Sequence, residues 1–99
     1  MTTLPKVPRK FKLFGETINV IFKDNLLMRK DRFGESDYRH NEIIIESKLA
    51  NNEIKEAVFY HEIVHMILSK MEEHDLCENE KFVNTLGQLI NQALKTMEY

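Results

Sequence analysis

Apolar and polar positions alternate along the first quarter of the chain and then change rhythm twice. Residues 11–14 and 17–22 are two β-prone runs, the second setting Ile18, Val20 and Phe22 against Thr17, Asn19 and Ile21 in an imperfect period of two. With Gly15-Glu16 between them they predict a hairpin. Residues 23–41 are rich in charge, with Gly34 and Asp37 as turn formers, and read as a connection with a short helical turn around residues 25–30. Glu42-Ile43-Ile44-Ile45-Glu46 is a β-branched run bounded by polar residues, which predicts a third strand.

From Ile54 to Met71 the rhythm becomes helical. Asn51 and Asn52 offer capping side chains, and Glu53 and Glu56 suit the positive end of a helix dipole. The apolar residues Ile54, Ala57, Val58, Phe59, Ile63, Val64, Met66, Ile67, Leu68 and Met71 leave few directions free, so this helix is expected at the centre of the fold, with Met66 and Met71 as core filler. Residues 72–79 interrupt the pattern with charges. A last helix begins near Asn79, where Phe82, Val83, Leu86, Leu89, Ile90, Ala93, Leu94 and Met97 form one broad stripe. Gly87 inside it costs about 1 kcal/mol relative to Ala, a cost that a close approach to the central helix would justify. The order of elements gives an α+β fold: a small three-stranded, mostly antiparallel sheet on a pair of helices.

Composition narrows the class. A chain of 99 residues has room for one hydrophobic core, so residues 10–99 form a single domain after a flexible segment, residues 1–9, that holds both prolines. Fourteen basic residues against sixteen acidic ones, in no long block of either sign, give no footprint for nucleic acid. The densest basic stretch, Lys6, Arg9, Lys10 and Lys12, reads as a solvated strand end. No apolar run approaches the roughly 20 residues of a membrane span, and no signal-peptide pattern opens the chain. A cytoplasmic protein is therefore expected, and Cys77, the single cysteine, suits a reducing compartment.

The central helix carries His61-Glu62-Ile63-Val64-His65, an H-E-x-x-H pattern. Four residues slightly exceed one helical turn, so both imidazoles leave the same face and can hold one cation at neighbouring corners of a tetrahedron. Glu62 is turned by about 100° from His61, which sets its carboxylate beside the ion, where it can take a proton from a water and deliver it to a leaving amine. A His or Glu on a helix is ordinarily solvated. Here the motif is framed by Phe59, Ile63, Val64, Met66, Ile67 and Leu68, and three ionisable groups in such surroundings need partners, which a metal supplies together.

Two histidines do not complete a zinc site, so a third protein ligand is expected among Glu72, Glu73, His74, Asp75, Cys77, Glu78, Glu80 and Glu98. Glu78 and Glu80 stand where the last helix begins and can reach back across an antiparallel pair. Spacing favours Glu80, which shares a face with Val83, Asn84 and Gly87, with Glu78 next. Asn84 is then placed to hydrogen-bond a ligating histidine. His40, His74, Tyr38 and Tyr60 are the groups available to stabilise an oxyanion.

The stretch from Glu42 to Ala93 resembles the catalytic core of short gluzincin metallopeptidases, in particular the minigluzincins and the small phage-encoded, ImmA/IrrE-like metallopeptidases. The resemblance rests on Glu-Ile-Ile-Ile-Glu before the site helix, Phe-Tyr-His-Glu-Ile-Val-His-Met-Ile-Leu within it, and Glu-Asn-Glu-Lys-Phe-Val-Asn opening the next. It implies a minimal zincin-like fold, one mononuclear zinc on His61, His65 and Glu80, Glu62 as catalytic base, a peptide or protein substrate, and a bacterial or phage-infected cell as setting. It also implies that the strand Glu42–Glu46 forms the rim of a cleft where an extended substrate adds as a further strand. Relatives of this kind often carry an acidic residue one turn after the third ligand, and Asn84 stands there instead. Larger gluzincins close the cleft with a C-terminal subdomain; with Tyr99 directly after the last helix, the resemblance leaves open an exposed cleft, a weak or highly selective protease, dependence on a partner, or autoinhibition by the C-terminal residues.

Two other classes compete with a zinc peptidase. One is a catalytically silent zinc-containing regulatory module acting through a protein partner, the other a helical interaction protein without metal. The presence of Glu62 favours catalysis, since a structural site has no use for it and would prefer a fourth protein ligand.

Overall fold

The computed structural model describes residues 6–26 and 32–99. Four strands form one mixed sheet: β1 (Lys10–Leu13), β2 (Glu16–Lys23), β3 (Gly34–Asp37) and β4 (Glu42–Glu46), in the order β1-β2-β4-β3. β1 pairs antiparallel with β2, β2 parallel with β4, and β4 antiparallel with β3. The three-stranded, mostly antiparallel sheet expected from sequence is thus corrected to four strands with a parallel pair at the centre. The additional strand is Gly-Glu-Ser-Asp, which has no apolar alternation to announce it. The helical turn expected over residues 25–30 falls mainly on residues outside the described ones, as do residues 1–5 of the N-terminal segment. Of its remainder, Val7 packs on the core and the Lys6 backbone N–H donates to Glu56 Oε2 at 3.1 Å.

The hairpin turn is Phe14-Gly15 rather than Gly15-Glu16. Leu13 pairs with Glu16, and both loop residues have positive φ, 51° and 77°. That is the two-residue connection whose twist matches its strands. Phe14 bears the steric strain and is 81% exposed.

Three helices follow: α1 (Asn52–Lys70), α2 (His74–Glu78) and α3 (Glu80–Thr96). The Asn51 side chain accepts from the Ile54 N–H at 2.9 Å and fixes the start of α1. The charged break expected at residues 72–79 contains the short helix α2, which buries Cys77.

α1 lies between two apolar layers. On one side Phe59 and Met66 meet Ile18, Ile43 and Ile45 of the sheet; on the other Val64 and Leu68 meet Cys77 of α2 and Val83 of α3. A helix apolar on two sides has no single stripe, as its sequence suggested. Met66 is fully buried, whereas Met71 is 55% exposed and is not core filler. The broad stripe of α3 is only partly used: Val83 is buried, while Leu89, Leu94 and Met97 face outward. Gly87 allows the close approach, since a Cβ there would stand 3.1 Å from the Tyr60 carbonyl oxygen and 3.2 Å from the His61 nitrogen.

Among the described residues no helix is long and apolar enough to cross a membrane.

Candidate metal centre

One face of α1, carrying Ile54, Val58, His61, His65 and Ser69, floors a cleft of about 970 Å³. β3 forms one wall, and α2 with the start of α3 forms the other. The rim is therefore β3, which corrects the β4 rim that the resemblance implied. β4 lies between β2 and β3, its edges both paired, whereas β3 is the outer strand. Gly34 brings β3 against α1: a Cβ there would stand 2.5 Å from Val58 Cγ1 and 3.2 Å from Glu62 Cγ. The Glu46 N–H donates to the Phe33 carbonyl at 2.8 Å. By the alternation of an antiparallel ladder, Gly34 and Ser36 then turn their backbone groups away from β4 and towards the open edge.

His61, His65 and Glu80 converge at the centre of the cleft, with one ligand atom from each lying within 4.8 Å of the others. His61 Nε2 is 3.2 Å from Glu80 Oε2, and His65 Nε2 is 3.3 Å from Glu80 Oε1. The imidazoles come from successive turns of α1. Glu80 is the first residue of α3, and Asn79 fixes that start by accepting from the Phe82 N–H at 3.0 Å. Corners of a tetrahedron around zinc at about 2.0–2.1 Å lie about 3.3 Å apart, and each imidazole stands about that far from its own oxygen of the Glu80 carboxylate. Donor type and spacing both suit the ion. Glu78, the other favoured carboxylate, lines the cleft but is not part of this convergence, nor is His74.

Glu62 is buried, at 8% exposure, and turns towards β3. Ser36 Oγ sits 2.8 Å from Glu62 Oε1 and 2.9 Å from the Glu62 main-chain oxygen, so its single proton is shared between two acceptors. Burial pushes the Glu62 carboxyl above the usual carboxylate range. The Ser36 hydroxyl and then the His65 and His61 rings pull the other way, and the Glu80 charge adds to burial. A carboxylate raised in this way is a better proton acceptor near neutral pH.

A third set of contacts surrounds His65. Cys77 Sγ is 3.5 Å from His65 Nδ1, on the side of the ring away from Glu80, and 3.5 Å from the His65 carbonyl oxygen; Tyr38 Oη lies 3.4 Å from the same sulfur. Burial, then the neighbouring Cys77, Glu62 and Glu80, push the Tyr38 phenol above its usual value, which keeps it an O–H donor.

Asn84 lines the cleft, yet the contact to the His65 ring nitrogen that faces away from Glu80 comes from Cys77. Of the expected oxyanion groups, Tyr38 and His74 line the cleft. Tyr60 instead stacks edge-on against Phe59 at 5.0 Å, and His40 is tied to Asp37 in the β3–β4 turn by an Nδ1–Oδ2 contact of 2.9 Å. Ser36 escaped the sequence reading because it stands in a strand without apolar alternation. Cys77 stood among the candidate third ligands; the structure instead places its sulfur behind the His65 ring, outside the convergent donors. Comparison of the chain with protein-family models, curated proteins and solved structures gives no match.

Proposed function

We propose that this chain is a zinc-dependent peptidase acting on an extended peptide segment. The observation that carries the reading is the meeting of His61, His65 and Glu80 from two helices beside a buried glutamate, all opening on one cleft. His61, His65 and Glu80 would hold the ion, which when bound supplies Lewis acidity to a scissile carbonyl and lowers the pKa of a water. Glu62 takes the proton of the attacking water and passes it to the departing amine. Ser36 orients that carboxylate. Tyr38 is the phenol on the cleft wall, whose hydroxyl would leave the Cys77 sulfur to meet a developing oxyanion.

The substrate is read as extended because the open edge of β3 offers the backbone groups of Gly34 and Ser36 to a further strand. Ser36 would then pair with the substrate through its backbone and hold Glu62 through its side chain. Phe33, Ile54, Ala57 and Val58 supply apolar wall for a side chain flanking the cleaved bond.

Zinc content of protein purified without added metal tests the ligand set: one ion per chain is expected, falling sharply in His61→Ala and Glu80→Gln. Wild type without zinc, or undiminished zinc in both variants, would sink it. Cleavage of a peptide library should disappear in Glu62→Gln while zinc is kept. A zinc-loaded wild type that cleaves nothing would leave the regulatory-module reading in place. The metal-free reading has one observation in its favour: separations of 3.2 and 3.3 Å also suit a carboxylate forked directly between two imidazolium rings. The same zinc measurement decides between them.

A further inference from the structure

Three elements converge on the far side of the His65 ring. α2 contributes Cys77, the turn after β3 contributes Tyr38, and α1 contributes the ring together with its own carbonyl. We propose that Cys77 is a positioning residue for His65, accepting the Nδ1–H so that Nε2 is left as the lone-pair donor facing Glu80. This inference rests on the zinc reading above and adds to it which group orients a ligand.

A neutral imidazole carries one proton, and coordination through one nitrogen requires that proton on the other. Nε2 faces Glu80 at 3.3 Å, so Nδ1 must donate, and the sulfur lies 3.5 Å from it, at hydrogen-bonding range for sulfur. The count of hydrogens closes. The thiol has one proton, which goes to the His65 carbonyl oxygen at 3.5 Å; the sulfur then accepts from Nδ1 and from the Tyr38 hydroxyl. Cys77 is itself buried, at 9% exposure, against Val64, Leu68 and Val83, so the sulfur cannot swing away. Its position behind the ring also separates it from the convergent ligand atoms of the cleft.

Ligand-orienting partners typically change metal affinity by about 10- to 100-fold when removed. Competition of the protein with a chromogenic chelator for zinc reads this directly. Cys77→Val keeps the apolar bulk and removes the acceptor; Cys77→Ser keeps an acceptor and sacrifices bulk. The expected result is a loss of about 10- to 100-fold for Cys77→Val and near wild-type affinity for Cys77→Ser. Tyr38→Phe, a change at a partly exposed side chain, should weaken zinc in the same direction by less, and it supplies the reading if Cys77→Val does not fold. The visible absorption bands of cobalt in the site should shift with Cys77→Val and not with Cys77→Ser. If packing were the whole role of Cys77, the order of the two variants would reverse. Wild-type affinity in Cys77→Val, or equal losses in both, overturns the inference while zinc binding by the wild type leaves the peptidase reading standing. A wild type that takes no zinc overturns both.

Discussion

Gly87 of α3 lies directly against the backbone of His61: a side chain's first carbon at Gly87 would stand 3.2 Å from the His61 nitrogen. The distance between the two helices is set here, about two turns along α3 from Glu80. Gly87→Val should lower stability by about 1–3 kcal/mol, the usual cost of overfilling a packed contact, with Gly87→Ala less affected because its better helix propensity offsets part of the push. Urea denaturation reads both. Because Glu80 rides on the displaced helix, zinc affinity should fall in the same order.

Zinc should stabilise the fold by tying α1 to α3. At a free concentration about a thousandfold above its dissociation constant, a ligand of the native state adds about 4 kcal/mol. Thermal melting with zinc and with a chelator should therefore differ widely for the wild type, and hardly at all for His61→Ala. Equal shifts in both proteins would mean that zinc binds elsewhere.

Ser36→Ala removes the hydroxyl donor on the buried Glu62 carboxylate. Leaving a buried acceptor unpaired costs about 1–3 kcal/mol. The carboxyl should shift further upward, since the hydroxyl is the first of the groups that hold it down. Zinc stoichiometry should be unchanged, whereas turnover of any cleaved peptide should fall. Ser36→Thr, which restores the hydroxyl, should recover part of the loss.

Acid should weaken the fold through Glu56. Burial pushes this carboxyl up, but the Lys95 ammonium and the Lys6 backbone N–H outweigh burial, and the net direction is below the ordinary carboxylate range. The Lys95 Nζ to Glu56 Oε1 distance is 2.6 Å. A carboxyl with a folded pKa below its unfolded value binds fewer protons in the native state, so its contribution is complete above the unfolded pKa and is lost as pH falls through the folded one. The urea midpoint should drop on acidification below about pH 4.5, and the drop should be smaller in Glu56→Gln. Equal slopes for the two proteins would remove Glu56 from the account.

Phe14 holds a positive φ of 51° in a turn that favours Asn followed by Gly. Phe14→Asn should raise stability by up to about 1 kcal/mol, visible as a higher melting temperature. A decrease would show that the exposed ring contributes more than its backbone strain costs.

The two long helices and the strands β1, β2 and β4 were legible in their residues: Ile18, Val20 and Phe22 alternate, residues 42–46 are a β-branched run, and the sequence from Ile54 to Leu68 fills two sides of a helix. His61, Glu62 and His65 were legible because spacing alone puts the imidazoles on one face. Glu80 followed from where α3 begins. β3 could not be read because its helix-facing residues are Gly34 and Ser36, small so that the strand can touch α1, and their smallness erases the apolar signal. Cys77 and Tyr38 belong to the site only through α2 and the β3–β4 turn, elements whose placement is tertiary.

The capping of α3 by Asn79 bears on more than that helix's stability. Glu80 is the residue immediately after the cap, so the direction of its carboxylate depends on where the helix begins counting. Slipping the chain by one residue along α3 would swing the carboxylate about 100° around the axis, away from both histidines, with no change in the sequence of donors. The third ligand is therefore a matter of phase, and an amide-to-N–H contact of 3.0 Å between Asn79 and Phe82 keeps the phase.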